Sequence, residues 1–220
     1  MTIKALVFDF DGLILDTETP EYLAWQAVYR WYGTNLELTE WLACVGSSQD
    51  KFDPFLTLQE RAATPVDDLD VRKLHRRTFL QHMQNQKPLP GVLETIHAAR
   101  QAGLKIGIAS SSDRAWVRSF LGRNGLPAEF DCLCTAEDVQ HVKPDPALFL
   151  CAAGRLGVQP YETLAFEDSL NGLKSAKRAG MYCVAVPNFV TRQLDFSEAD
   201  RILTSLAEVP LDELINQINV

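Results

Sequence analysis

Short, largely uninterrupted apolar runs, separated by longer helical patterns, constrain the fold of this chain more than any other feature of its sequence. Such runs lack the alternation of a half-exposed strand and are typical of strands buried on both faces of a parallel sheet. This pattern predicts an α/β fold with a doubly wound, Rossmann-like parallel sheet, in which ligands bind beyond the carboxyl ends of the strands. The runs lie at 5–8, 105–109, 163–166 and 182–186, with weaker candidates at 130–133 and 201–203.

The stretch between the first two runs is too long for a simple crossover between parallel strands. It spans about ninety residues, whereas a crossover needs about a dozen. Its apolar residues recur at helical spacing, with Pro20 in a first helical turn, Ser48 as the cap of a second helix and Asp68 opening a third. The prolines and the glycine in 87–91 end this pattern. We therefore predict an all-helical insert at 16–86 and a core formed by 1–15 and 87–220.

The composition indicates a soluble globular protein with a small-molecule partner. Of the 220 residues, 46% are hydrophobic and 23% are charged, and the formal net charge is -8. This acidic balance gives no electrostatic basis for binding nucleic acid or an anionic membrane, and no apolar run approaches the length of a membrane span. The five cysteines lack CxxC spacing, which favours reduced thiols in a cytoplasmic protein over disulfides or a zinc site.

Two aspartates two residues apart follow the first apolar run, in the segment Asp9-Phe10-Asp11-Gly12. On extended backbone, their side chains point to the same side. One carboxylate can accept a phosphoryl group, while the other protonates the leaving oxygen and then activates water. Gly12 allows a sharp turn that would bring backbone N–H groups toward phosphate. Taken alone, the segment is equally typical of a solvated turn.

Phosphate-binding groups are predicted after the second run and before a later helix. Ser110 and Ser111 follow 105–109 and offer hydroxyl and backbone donors to phosphate oxygens. Lys143 lies in the stretch 142–146, whose two prolines and aspartate predict a helix start, where anions bind favourably. Taken singly, a serine cluster is also typical of a helix cap, and a lysine of an exposed loop.

A divalent metal site is predicted where these segments meet. Glu167 and Asp168 follow the run at 163–166. If they lie at the same sheet edge as Asp9 and Asp11, four carboxylates face the single cation Lys143. Such a cluster needs a divalent cation beside phosphate, and Mg²⁺ favours oxygen ligands shared between carboxylates and phosphate. We therefore predict Mg²⁺ as the cofactor.

These four elements, in this order, resemble the haloacid dehalogenase superfamily, and the resemblance covers nearly the whole chain. The insert resembles the helical cap of the subgroup that contains β-phosphoglucomutase, phosphoglycolate phosphatase and sugar-phosphate phosphatases, which closes over the site and selects the substrate. The resemblance implies the following roles: Asp9 as nucleophile, Asp11 as general acid and base that also gives its backbone carbonyl to Mg²⁺, Ser110 and Lys143 as residues that hold the phosphoryl group, Asp168 as metal ligand and Glu167 as its support. Ser111 and Gly12 stay candidates for phosphate binding from their position in the sequence.

The predicted function is hydrolysis of a small phosphorylated metabolite, such as a sugar phosphate, through an aspartyl phosphate. A phosphomutase would need a cationic clamp in the cap to grip a second phosphate. The comparable stretch, 45–51, carries Ser48 where the resemblance predicts an arginine, although Lys51 or a later arginine could substitute. A phospho-accepting receiver or another non-catalytic binding protein on this fold is a further alternative. The sequence leaves the oligomeric state open, a monomer included.

Overall fold

The chain forms two compact units in a computed structural model that describes residues 2–45, 52–123 and 130–218. One unit comprises 1–15, 87–188 and 195–220, and the other comprises 16–86 and 189–194. The segment 189–194 thus groups with the helical unit, whereas the sequence predicts it within the core. The cause is Val190, which is fully buried in the apolar core of the helical unit.

Nine α-helices lie in the described part of the chain. Four belong to the helical unit, and the other five belong to the unit that contains the sheet. In chain order they are α1 Glu18–Trp31, α2 Leu38–Val45, α3 Pro54–Arg61, α4 Asp68–Met83, α5 Val92–Gln101, α6 Arg114–Arg123, α7 Ala147–Leu156, α8 Leu170–Arg178 and α9 Leu211–Ile218.

The helical unit is held together by aromatic and aliphatic side chains from its helices and from the segments beside them. Its core contains Tyr22, Val28, Tyr29, Leu36, Trp41, Leu58, Val71 and Val190. The sequence misses α2, and it predicts a helix capped by Ser48, a residue outside the described part of the chain. Instead, α3 begins at Pro54, because the side chain of Asp53 accepts hydrogen bonds from the backbone N–H groups of Phe55 and Leu56.

The other unit contains a parallel sheet. The described residues form six strands, β1 Ala5–Phe8, β2 Lys105–Ala109, β3 Cys132–Cys134, β4 Thr163–Glu167, β5 Tyr182–Ala185 and β6 Arg201–Ile202. Their order is β3-β2-β1-β4-β5-β6. All neighbouring pairs are parallel, which confirms the predicted fold class. The order reverses beside β1, and in open α/β sheets ligands bind at such a switch point.

The strands at the centre of the sheet are fully buried, which explains their uninterrupted apolar sequences. All four residues of β1 are inaccessible to solvent, and Phe8 stacks on Phe166 of β4 with ring centroids 5.0 Å apart. The helices α7 and α8 contact each other; α7 packs against β1, β2 and β3, and α8 packs against β4 and β5. In addition, α5 packs against β2 and contacts α9. The switch point therefore lies at the buried centre of the sheet.

Two sequence expectations concern the environment of the protein. Of the described helices, none combines the length and the apolar character needed to cross a bilayer. The described cysteines Cys132, Cys134, Cys151 and Cys183 are not joined in disulfides.

Candidate active site

The carboxyl ends of β1, β2 and β4 bring three of the predicted site residues to one edge of the sheet. Asp9 and Ser110 follow β1 and β2, and Glu167 ends β4. Backbone hydrogen bonds continue through all three: Asp9 N–H donates to Phe166 at 2.9 Å, Ser110 N–H donates to Cys134 at 3.0 Å, and the Glu167 carbonyl accepts from Val186 at 2.7 Å. The backbone of the site is therefore fixed by the sheet itself.

Lys143 lies between two buried carboxylates. Its ammonium group pairs with Oδ1 of Asp9 and, at 2.6 Å, with Oε1 of Glu167. The Lys143 side chain is only 5% exposed and that of Glu167 is fully buried, so these charges interact with little solvent screening. The ring of Phe149 packs against the ammonium group, with the ring centroid 5.0 Å from Nζ.

Burial changes the pKa values of Asp9 and Lys143. Burial raises the pKa of the Asp9 carboxyl well above its ordinary value, and the positive charge of Lys143 opposes that shift. Burial alone would lower the pKa of Lys143, but the charges of Asp9 and Glu167 outweigh it and raise that pKa above its ordinary value. Lys143 is therefore protonated throughout the physiological range.

Three carboxylates form a candidate site for a divalent cation. Asp9, Glu167 and Asp168 each offer an oxygen, and these three oxygens lie within 4.8 Å of one another. Hard oxygen donors at this spacing suit Mg²⁺, which takes carboxylates together with water and phosphate oxygens. Asn188 Nδ2 donates to Oδ2 of Asp168 at 2.7 Å and orients that carboxylate. The residues present therefore fit the predicted cofactor.

Gly12 makes the turn that brings Asp168 close to β1. Its φ of 84° lies in the left-handed region, and a Cβ at this position would lie 2.2 Å from Oδ2 of Asp168. The N–H of Gly12 donates to the carbonyl of Leu15 at 2.7 Å. This amide is therefore engaged within the turn, and the role of Gly12 visible in the structure is to admit Asp168.

Asp11 has partners different from those of Asp9. Its Oδ2 accepts a hydrogen bond from Ser112 Oγ at 2.6 Å and lies 3.3 Å from Ser110 Oγ. Its Oδ1 accepts from the indole Nε1–H of Trp116 at 2.8 Å. The Asp11 carboxylate is thus held by neutral donors, as suits a group that exchanges protons. Coordination of Mg²⁺ by its backbone carbonyl stays a prediction.

Some functional candidates differ from those predicted by the sequence. Ser111 is exposed at the end of β2, whereas its neighbour Ser112 bonds to Asp11. The run of three serines makes Ser111 and Ser112 equal candidates in the sequence. Only the geometry of the turn shows that Ser112 is the one that contacts Asp11. Trp116 and Asn188 carry no comparable signal, because a helical tryptophan and a loop asparagine are common without any role in a site.

This chain is similar in sequence to known proteins over nearly its whole length. Residues 6–186 match the sequence profile of the family described as haloacid dehalogenase-like hydrolase. The YhcW protein of Bacillus subtilis (strain 168) is 48% identical over 217 residues, covering 99% of this chain and 98% of that protein. Fructose-1-phosphate phosphatase YqaB of Escherichia coli (strain K12) is 33% identical over 187 residues, covering 82% of this chain and 95% of that protein.

A solved structure shares the architecture. The crystal structure of CbbY from Rhodobacter sphaeroides in complex with phosphate superposes with a TM-score of 0.72. The two sequences are 28% identical, and the match covers 94% of this chain and 96% of the other. The similarity therefore extends over both units of the chain.

The contact between α8 and Glu167 generates a prediction about Gly172. A Cβ at Gly172 would lie 1.8–1.9 Å from the carboxylate of Glu167. Gly172→Ala should therefore displace Glu167 from Lys143 and reduce the free energy of unfolding by about 2–3 kcal/mol. The thermal unfolding midpoint should fall accordingly. It should also lower any hydrolytic activity.

Gly154→Ala is the matched control, because Gly154 also lies inside a helix but faces open space. It should raise stability by about 0.5–1 kcal/mol through helix propensity. Equal unfolding midpoints for the two variants would contradict the assigned contact with Glu167.

Proposed function

Since this chain belongs to the haloacid dehalogenase-like hydrolase family, we propose that it is a Mg²⁺-dependent phosphatase of a small phosphorylated metabolite. The observation that carries the proposal is that two aspartates at the end of one strand have different partners. Asp9 is buried against Lys143 beside the acidic cluster, while Asp11 is held by hydroxyl and indole groups. The name of YqaB as a fructose-1-phosphate phosphatase supports a sugar phosphate as the substrate class.

In the first half of the reaction, a carboxylate oxygen of Asp9 attacks the phosphorus atom. The bond between phosphorus and the leaving alcohol breaks, and Asp11 gives its proton to the departing oxygen. Lys143 and the hydroxyl of Ser110 stabilise negative charge on the transferred group. Lys143 suits this role because it is already fixed and charged before substrate binds.

In the second half, Asp11 accepts a proton from a water molecule that attacks the aspartyl phosphate. The bond between phosphorus and the Asp9 oxygen breaks, which releases inorganic phosphate and restores both aspartates. Asp11 can alternate between these roles because its own partners include hydroxyl groups, which donate or accept hydrogen bonds as needed.

The metal-binding group comprises Asp9, Asp168 and the backbone carbonyl of Asp11, with Glu167 as support. The cluster of carboxylate oxygens supports this assignment. When bound, Mg²⁺ supplies positive charge that offsets repulsion between these carboxylates and the phosphoryl group. We further propose a cytoplasmic setting, which the free thiols among the described residues support.

The helical unit, 16–86 with 189–194, is proposed as the cap that selects the substrate. Its chain connections support this role, because the polypeptide enters it directly after the turn that follows Asp9. The arginine clamp of a phosphomutase is missing from the sequence 45–51, although 46–51 lie outside the described residues. We therefore favour a phosphatase over a phosphomutase.

The first test of the proposal is phosphate release from a panel of phosphorylated sugars, nucleotides and glycolate in the presence of Mg²⁺. The wild-type protein should hydrolyse at least one of them. Asp9→Asn should reduce turnover by about three orders of magnitude or more, since an amide cannot accept the phosphoryl group. The variant should remain folded, because Lys143 keeps Glu167 as a partner, although the loss of one charge from the buried group should lower the unfolding midpoint. Substantial activity in this folded variant would overturn the assignment of the nucleophile.

Metal dependence is the second prediction. Removal of divalent cations with a chelator should abolish phosphate release, and added Mg²⁺ should restore it, because the carboxylate cluster repels an unscreened phosphate dianion. Ca²⁺ at the same concentration is a suitable control, since its larger coordination sphere fits this site less well. Full activity after exhaustive chelation would remove the metal from the mechanism.

A third assay separates the phosphatase from the phosphomutase. The protein is incubated with β-glucose 1-phosphate and a catalytic amount of the bisphosphate, and glucose 6-phosphate and free phosphate are followed together. Without a clamp for the second phosphate, water should compete successfully for the aspartyl phosphate, so phosphate release should exceed isomerisation. The reverse ratio would show that the chain is a mutase.

A further inference from the structure

One hydrogen-bond donor to the Asp11 carboxylate, the indole of Trp116 in α6, has no role in the proposed reaction. Nε1–H of Trp116 donates to Oδ1 of Asp11 at 2.8 Å. The other carboxylate oxygen, Oδ2, lies 2.6 Å from Ser112 Oγ and 3.3 Å from Ser110 Oγ. The two oxygens of Asp11 therefore have chemically different partners.

Trp116 is itself fixed at its backbone and at its ring. Its backbone N–H donates to Oδ1 of Asp113 at 2.7 Å, which is the interaction of a helix N-cap with the first helical turn. Its ring packs against Phe120, one turn further along α6, with centroids 4.4 Å apart. The indole N–H is therefore presented to Asp11 from a rigid support.

The chemistry of the indole decides what this contact can do. An indole N–H only donates a hydrogen bond, whereas a serine hydroxyl both donates and accepts. Oδ1 therefore faces a partner that only donates, and this contact fixes the orientation of the Asp11 carboxylate. Oδ2 faces the hydroxyls of Ser110 and Ser112, which can donate or accept.

We propose that Trp116 is a positioning residue for the acid and base step, holding the Asp11 carboxylate with Oδ1 toward α6 and Oδ2 toward Ser110 and Ser112. This inference rests on the proposed phosphatase function. Ser110, Ser112 and Trp116 come from one strand, turn and helix. A single segment thus sets the phosphate-binding hydroxyl and the orientation of Asp11 together.

Removal of the indole donor should lower kcat/KM by a factor that depends on the leaving group of the ester. In this mechanism, kcat/KM reports the steps up to release of the alcohol, and so includes protonation of the leaving oxygen. Trp116→Phe should lower kcat/KM about tenfold or more for an alkyl phosphate, whose alkoxide needs a proton. For p-nitrophenyl phosphate, whose phenolate leaves without one, the loss should be about threefold or less.

Phe120→Leu is the matched control, because it disturbs the packing of the Trp116 ring but keeps the indole N–H. It should change kcat/KM by a similar factor for both esters. Parallel losses for alkyl and aryl esters in Trp116→Phe would overturn the inference, because a merely structural effect does not depend on the leaving group. Unchanged kinetics in Trp116→Phe would overturn it as well.

A second measurement observes the contact without using activity. The four tryptophans give four indole N–H signals in a ¹H–¹⁵N spectrum, and Trp116→Phe identifies the signal of Trp116 by its loss. Asp11→Ala should move that signal upfield, as expected for a lost hydrogen bond to a carboxylate, and should leave the other three in place. An unmoved Trp116 signal would overturn the contact.

The two proposals fail in distinguishable ways. A wild-type protein that hydrolyses none of the esters, aryl phosphate included, would overturn the phosphatase function, and the indole spectrum would then decide the contact by itself. A wild-type protein that is active, with Asp9→Asn inactive but with parallel losses in Trp116→Phe, would overturn only the role of Trp116.

Discussion

The pairing of Lys143 with Asp9 and Glu167 is the interaction on which the rest of the site depends. Burying a single ion costs several kcal/mol, and breaking a buried pair generally costs about 3–5 kcal/mol. The arrangement is tolerated here because each partner is fixed by the sheet: Asp9 and Glu167 are held by backbone hydrogen bonds to neighbouring strands, and Ser169 Oγ donates to Glu167. The buried pair thus supplies a preorganised cation at the place where a phosphoryl group would accumulate negative charge.

Most of the fold could be predicted because a parallel sheet buried on both faces leaves a direct trace in the sequence. The predicted runs at 5–8 and 105–109 coincide with β1 and β2, and those at 163–166 and 182–186 differ from β4 and β5 by one residue. The carboxyl ends of parallel strands meet at one edge, so the residues after each run could be assigned to a common site before their distances were known. Asp9, Glu167 and Asp168 do meet there.

The rest could not be predicted, because it depends on packing across the chain. Asp53 caps α3, whereas the sequence predicts Ser48 as the cap. The start of a helix is hard to predict, because several polar residues can serve equally well as its cap. Val190 joins the core of the helical unit although it follows β5, and nothing in its neighbours' sequence distinguishes that core from the sheet. The contact of Trp116 with Asp11 joins residues far apart in the chain. Periodicity indicates only that Trp116 belongs to a helix.

The central claim is that Asp9 becomes phosphorylated and that Asp11 then activates water. The most direct measurement uses Asp11→Ala with p-nitrophenyl phosphate, whose leaving group needs no acid, so that the aspartyl phosphate forms but is not hydrolysed. The reaction is stopped in acid and treated with borohydride, which reduces an acyl phosphate to the alcohol, and the protein is analysed by peptide mass spectrometry. The account predicts homoserine at position 9, dependent on Mg²⁺ and on substrate. Release of p-nitrophenol without this modification, or with modification at another residue, would contradict it.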